Sequence, residues 1–449
     1  MKKVVIMIIS ILTVLFYNQN VYAKDTFKSI NKYEEETLNF IYNSYDKKNN
    51  KDGLVTAGIY VEKKDDDTTE SKDTQVILVK YDNNAKEKWT YNYGKTSEDK
   101  LFYLTYSYDE EENINGYILV VNETKEKTDT KEVTPIFIKL DLDGKLVEEK
   151  SLSLPANTEI KKVIETYNEE SKINGYLVVG STTGENKRNA FVAKYNLNLD
   201  KEWDKQYPHE TNSTEIKDII SINKTDSYRT IMTYIEGKDK KHSLLSLDGT
   251  GNTTATIKED FESNDDPKLL DTKDSYLLYG FNHNVKLKND KTTSYYVIKY
   301  SINDNTEEWE TIGNIPVNDE KLLEMQTLAE EEKAYLIMYI NDNDDSIEIT
   351  RINTSGEIEN KIKKINNDYY SINKFLFSND ILYFVGQITC PDDDNCDYNM
   401  KSLLLISTED KVIEVEEEDN TAIFIIMGSI VLFIVLLYVL RKIQKKKEA

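Results

Sequence analysis

Few residues in this chain have the type and spacing for chemistry, and the densest group of them is one short loop. Cys390 and Cys396 bracket Pro391, Asp392, Asp393, Asp394 and Asn395, and Asp397 follows at once. Outside a reducing compartment the two thiols form either a short disulfide, contributing about 2 kcal/mol by restraining the unfolded chain, or a pair of free surface thiols. Asp392, Asp394 and Asp397 offer carboxylate oxygens of the kind that hold calcium, but the loop lacks the glycine and the distal glutamate of a helical calcium site. Trp89, Trp203 and Trp309 are all the tryptophans of the chain. Their rings are either stacking platforms for a quinone or a sugar, or packing elements between strands, and the second reading is preferred. The histidines, His209, His242 and His283, show no metal-ligand spacing. His242 stands beside Lys241 on a predicted strand and reads as a surface or partly buried residue. No Gly-x-Ser-x-Gly elbow occurs.

These residues must be positioned by strands. An apolar strand of one shape begins at Leu54, Tyr117, Tyr176, Tyr228, Tyr276, Tyr335 and Leu382, at intervals of 47 to 63 residues. Around the third copy, Ile160 to Tyr167 alternates apolar and polar residues, Tyr176 to Ser181 is nearly all apolar, Ala190 to Tyr195 follows, and Lys201 to Tyr207 closes the set. The other sets run from about Leu38 to Tyr93, Leu101 to Leu152, Ile216 to Ile257, Pro267 to Ile312, Leu322 to Ile365 and Tyr370 to Glu416. One such unit cannot bury its own faces, so the units must stack. The expected fold is all-β: a closed seven-bladed β-propeller of four-stranded antiparallel blades, plus one C-terminal transmembrane helix.

The blades share more than hydropathy. Gly58, Gly180, Gly280 and Gly386 each stand four residues after a strand start, and Lys80-Tyr81, Lys194-Tyr195 and Lys299-Tyr300 end third strands. The tryptophans follow those lysines by 9, 9 and 10 residues, a register that ties them to packing. Turn glycines occur in Asp143-Gly144, Asp248-Gly249 and Ser355-Gly356. With Gly175-Tyr176-Leu177-Val178-Val179-Gly180-Ser181, and Ala193-Lys194-Tyr195-Asn196 followed by Trp203, the chain resembles the bacterial secreted propeller repeats related to the quinoprotein and WD40-like groups. The resemblance covers about Leu38 to Glu416. It implies a fold and leaves activity open.

The two ends set the address. Lys2 and Lys3, the apolar run Val4 to Phe16 and Val21-Tyr22-Ala23 read as a signal peptide over residues 1–23. Residues 24–37 read as a lead-in, 38–416 as the propeller and 417–421 as an acidic spacer. Ala422 to Leu440 carries no charge and as a helix would measure about 28 Å, enough to span a bilayer. The basic tail, residues 441–449, would stay in the cytoplasm with the propeller outside. The formal net charge of −24 disfavours nucleic acid and anionic lipid as partners.

The longest insertions, Glu62 to Thr74, Asn122 to Thr134, Asn282 to Ser294 and Ile388 to Met400, all join second to third strands and so share one face. With four consecutive strands in the last blade, the chain would leave the propeller on that same face. The expectation is therefore a non-enzymatic, membrane-tethered binding or assembly scaffold with no cofactor beyond calcium in the acidic loop. Its partner would be another membrane or cell-surface protein, at the same membrane. The alternatives are a glycan-active hydrolase or lyase on a propeller frame, with paired carboxylates at the axis, and a quinone-dependent dehydrogenase-like protein.

Overall fold

In most repeats the second strand has an unbroken apolar stretch, as suits a strand covered on both faces, while the middle strands of the fourth blade also bury Arg229, Thr230, Thr233 and His242. Ile173–Thr183 and Arg188–Asn196 show the two-sided cover: nearly every residue is buried, whereas the outermost strand, Lys201–Tyr207, alternates exposed and half-buried residues. The structure, a computed structural model, describes residues 26–408 except 31–33, 63–72, 95–98, 128–129, 156, 185–186, 237–238, 262, 264–265, 273, 283–292, 318–322, 329–333, 367–369, 380 and 390–399. The described strands are all β and form seven four-stranded antiparallel sheets. Six are built from four consecutive strands. Their first strands are Glu34–Tyr45, Lys100–Tyr108, Glu159–Tyr167, Thr214–Ser221, Lys268–Thr272 and Leu323–Thr327.

The remaining sheet is composite. Tyr370–Ser378, Ile381–Thr389 and Met400–Thr408 supply three strands, and Thr26–Ile30 from the other end of the chain adds the fourth, with Phe27 opposite Leu405. The segment read as a lead-in therefore contains an outer strand of the last blade. Because Met400–Thr408 is third in its sheet, it ends on the face of the first-to-second turns. The second-to-third connections lie on the opposite face, so the expected exit on the insertion-bearing face is reversed.

The blades form a ring. First strands of successive sheets contact one another, those of the first two through Phe40 and Tyr103, and the first strand of the first sheet contacts that of the composite sheet. Seven buried apolar clusters among the described residues each draw on two adjacent sheets. The closing seam joins Leu38, Ile41 and Tyr81 to Val385 and Leu404. It is tied by Asn373 Nδ2 donating to the Leu38 carbonyl at 2.9 Å and Thr37 Oγ1 donating to Gln387 at 2.7 Å. Tyrosines carry much of the core: Tyr117, Tyr176, Tyr228 and Tyr276 open second strands with no exposed surface, each worth about 1.5–3 kcal/mol in buried area.

One insertion differs from its expected form. Asn122 to Thr134 continues the ladder, since Asn122 pairs with Pro135 and pairing persists to Lys127 and Thr130, making a long hairpin arm. The signal peptide, the acidic loop from Cys390 to Asp397, the spacer and the run Ala422 to Leu440 lie outside the described residues. Among those described, no helix is long and apolar enough to cross a membrane.

Candidate functional site: the propeller axis

The strand-two glycines lead to the axis. A Cβ on Gly58, Gly180 or Gly386 would lie 1.9–2.0 Å from the carbonyl oxygen of Thr37, Glu159 or Ser371 on the first strand alongside. That close approach accompanies a β-bulge: the register slips between Leu38 and Phe40, Ile160 and Lys162, and Ile372 and Lys374. The same slip occurs between Leu101 and Tyr103 and between Ile216 and Asp218. A bulge bends the strand and re-aims the next side chain.

The position after the slip has a counterpart in all seven sheets, although the first strands carrying Lys268 and Glu324 pair without a bulge. Phe40, Tyr103, Lys162, Asp218, Lys268, Glu324 and Lys374 each pair with the residue three after Leu54, Tyr117, Tyr176, Tyr228, Tyr276, Tyr335 or Leu382 on the second strand. The next residue in each first strand, Ile41, Leu104, Val163, Ile219, Leu269, Met325 or Phe375, is buried in a seam. The pleat thus puts apolar side chains between blades and a layer of three lysines, two acids and two aromatics around the axis.

Neighbours in this layer pair off. Lys162 Nζ lies 2.5 Å from Asp218 Oδ1, and Lys268 Nζ lies 2.6 Å from Glu324 Oε1. Asp218 also accepts the amides of Ile219 at 2.8 Å and Leu269 at 2.7 Å, fastening the fourth blade to the fifth. Lys374 Nζ sits over the rings of Phe40 and Tyr42, 5.5 Å from each centroid, and Phe40 meets Tyr103 edge-on at 5.4 Å.

Electrostatics shows that the layer converges. Asp218, on the fourth blade, acts on Lys374 of the composite blade and Tyr103 of the second. Burial would raise the Glu324 carboxyl, yet Lys268, Lys374 and Lys162 hold it below its ordinary value. Burial likewise works against the Lys374 ammonium, but Tyr42, Glu324 and Asp218 raise its pKa. The Glu324 side chain is crowded on every side and still 21% exposed, as suits a group lining a narrow channel.

Toward the face of the first-to-second turns the lining changes. Glu165 accepts hydrogen bonds from Thr105 at 3.1 Å and Tyr108 at 3.4 Å. Asp271 is exposed, yet the surrounding chain raises its carboxyl while Lys162 and the Thr272 amide pull the other way. Tyr42, Tyr45, Tyr106 and Tyr108 form an edge-to-face series along the first two blades, and Tyr108 joins that series to Glu165. Toward the other mouth the bulged Lys161 pairs with Glu159 and Glu215, and Lys217 with Glu215 and Asp266.

The residues singled out from sequence lie elsewhere. Trp89, Trp203 and Trp309 stand on outer strands at blade seams, packed over the turns of the following blades. Trp89 Nε1 donates to the Leu142 carbonyl at 3.1 Å and Trp309 Nε1 to that of Thr354 at 2.9 Å. The fourth-blade turn glycine under Trp203 is Gly251, not Gly249. Gly280 faces Tyr296 and Ser263 and no bulge. His242 is fully buried, neither at the surface nor partly buried as its neighbour Lys241 suggested: its Nδ1 is 2.7 Å from Thr233 Oγ1 and its ring lies against Phe261, because adjacent strand residues face opposite sides and Lys241 is only half-buried. His209 stacks on Tyr234. Asp392, Asp394, Asp397, Cys390, Cys396 and His283 lie outside the described residues.

Sequence reasoning missed the axial layer. A signal for it existed: in most copies a charged or aromatic residue immediately precedes the first apolar residue that follows the bulge. Among the described residues no three His, Cys, Asp or Glu side chains converge to hold a metal ion.

No protein-family model matches the chain, and no curated protein matches it. Among solved structures it is similar to the β-propeller domain of the trilobed protease from Pyrococcus furiosus, described as having an open velcro topology. The identity is 12% and the TM-score 0.45, over 78% of this chain and 91% of that one. It is also similar to the WD40 domain of SCAP from fission yeast, at 12% identity and a TM-score of 0.39 over 86% and 98% of the two chains. A Trypanosoma rangeli sialidase mutant displaying trans-sialidase activity aligns at 10% identity and a TM-score of 0.42, over 85% of this chain and 58% of that one.

Proposed function

We propose that the chain is a non-enzymatic, membrane-tethered binding scaffold: a seven-bladed propeller held outside the membrane by the span Ala422 to Leu440 after loss of the leader. Its partner is another membrane or cell-surface protein, met by the face of the second-to-third connections. The observation that carries this reading is the commitment of the axial carboxylates. Asp218 is saturated by Lys162 and two amides, and Glu324 is held by Lys268, so neither is placed as the free acid or base of a hydrolase. With the third strand of the composite blade ending on the face opposite the second-to-third connections, the partner can sit at the same membrane or at another surface.

Photocrosslinking groups at the tip of the long hairpin, at Glu126 and Thr130, and at Asn83 and Asn198 in turns on the opposite face test the reading in native membranes. A protein adduct from the hairpin sites alone is expected. Equal adducts from both faces, or none, would overturn it.

One observation favours a glycan-active enzyme as the second reading. Asp271, an exposed residue whose carboxyl the surrounding chain raises, would be its proton donor. Loss of hydrolysis of a cell-wall glycan in both Asp271→Asn and Glu165→Gln would establish that reading and displace the first.

A further inference from the structure

The axial layer holds three ammonium groups and two carboxylates. Lys162 and Lys268 are each paired at 2.6 Å or less. Lys374 is left with two aromatic faces and, among the described residues, no carboxylate partner. An ammonium has three donors, and a ring face satisfies none of them as an oxygen does. A cation–π contact offers an ammonium less than a charge-assisted hydrogen bond to a carboxylate does. Lys374 is half-buried.

We infer that the axis carries a binding site for one carboxylate group borne on a flat apolar body, with Lys374 as its cation and Phe40, Tyr42 and Tyr103 as its wall. The charge around the site limits the ligand class. The layer itself has a surplus of one positive charge, while Asp218 and Glu324 act on Lys374 and Glu165 acts on Tyr103 from the next level of the lining. A monoanion neutralises the layer, whereas a phosphate dianion would meet net repulsion from those carboxylates. The half-buried Phe40 and Tyr103, meeting edge to face, leave an apolar flank that favours an aromatic carrier over acetate. The carboxylate can belong to a free aromatic acid or to a peptide ending in phenylalanine. The site does not depend on which face a protein partner uses, so it stands apart from the scaffold reading.

Ligand-observed saturation-transfer NMR on the purified full chain provides the test, with benzoate, benzamide, inorganic phosphate, and a hexapeptide ending in phenylalanine as its free acid and as its amide. Benzoate or the free-acid peptide should bind, the stronger of the two identifying the source. The matched amide should bind at least tenfold more weakly, and phosphate should not compete. Lys374→Met should weaken binding of the acid at least tenfold, Lys374→Arg should keep it, and Lys145→Met on an exposed turn should change nothing. Equal binding of acid and amide by the unaltered chain, competition by phosphate, no binding of either acid, or full binding by a folded Lys374→Met variant would each overturn the proposal. Because the acid-to-amide comparison uses the unaltered chain, the test holds even if Lys374→Met fails to fold.

Discussion

The indole of Trp89 occupies the space that a side chain on Gly144 would need. A Cβ on Gly144 would fall 2.6 Å from two ring carbons, and this glycine has φ +77°, a region costly for L side chains. Trp203 over Gly251 and Trp309 over Gly356 repeat the arrangement. At the next seam the partnership inverts: the second blade has Glu148 opposite Lys139 where the first has Trp89 opposite Lys80, and the third blade fills its turn with Leu199, buried at φ +59°. Large ring with glycine alternates with small contact and side chain, a conservation of volume across seams.

Gly144→Ala should accordingly lower stability by about 2–3 kcal/mol, from overlap with the ring and the positive φ together. Trp89→Leu alone should cost a similar amount through lost burial. The double variant should recover at least ~1 kcal/mol relative to the sum, because the smaller side chain vacates the space that Cβ requires. Urea unfolding of the four proteins gives the coupling; simple additivity would show that the contact does not govern the seam.

Asp218 joins three elements through one carboxylate, so its removal should cost more than the loss of one ion pair. Asp218→Ala strands Lys162 and the Leu269 amide in the axis and should destabilise by about 3–5 kcal/mol. Asp218→Asn keeps one acceptor and should cost less. Lys162→Met combined with Asp218→Ala should cost less than the sum of the single changes, since the stranded ammonium is gone. Unfolding midpoints across the set distinguish a fastening between blades from a solvent-exposed pair, for which all differences would stay below about 1 kcal/mol.

His242 makes stability depend on pH. Burial lowers its pKa from 6.5 to about 4, with the Ser263 backbone and Asp266 acting in the opposite direction. The unfolded chain therefore binds a proton that the folded chain refuses between those values. The contribution of this group is complete above about pH 6.5 and is lost as pH falls toward 4, by at most about 3 kcal/mol. His242→Gln keeps an acceptor for Thr233 and removes the titration. The stability difference between pH 7 and pH 5 should shrink in the variant, and an unchanged difference would assign the pH dependence to carboxylates elsewhere.

The strands were legible because Tyr176 to Ser181 and its counterparts are buried on both faces, which leaves an unbroken apolar run. The axial layer was not, for a physical reason. Lys162 or Glu324 in an alternating strand looks the same whether it faces bulk water or a narrow channel lined by six other strands. Period two reports only that one side of the strand is apolar. The bulge glycines Gly58, Gly180 and Gly386 were visible as a register, but their cause, a carbonyl of the first strand pressing against the second, is a contact between strands. His242 was misjudged from its neighbour Lys241, although adjacent residues on a strand face opposite sides.

The composite blade was illegible for a different reason: its outer strand, Thr26–Ile30, is separated by almost the whole chain from Met400–Thr408, and local periodicity carries no information about that pairing. The seam is also where ring closure is tested. Ser29 lies opposite Leu403 in the ladder. The pair Ser29→Cys and Leu403→Cys, oxidised, should link the two ends of the propeller and raise stability by about 3–5 kcal/mol, because the loop closed in the unfolded chain is very long. Reduction should return the midpoint to that of the unaltered protein. Deleting residues 26–30 should do the opposite, exposing the edge of Met400–Thr408 and promoting association between chains through that edge. Sedimentation of the deletion variant together with thermal unfolding of the oxidised and reduced double-cysteine protein decides the matter. A monomeric deletion variant of unchanged stability would mean that the first strand is dispensable and that the ring is held by its seams alone.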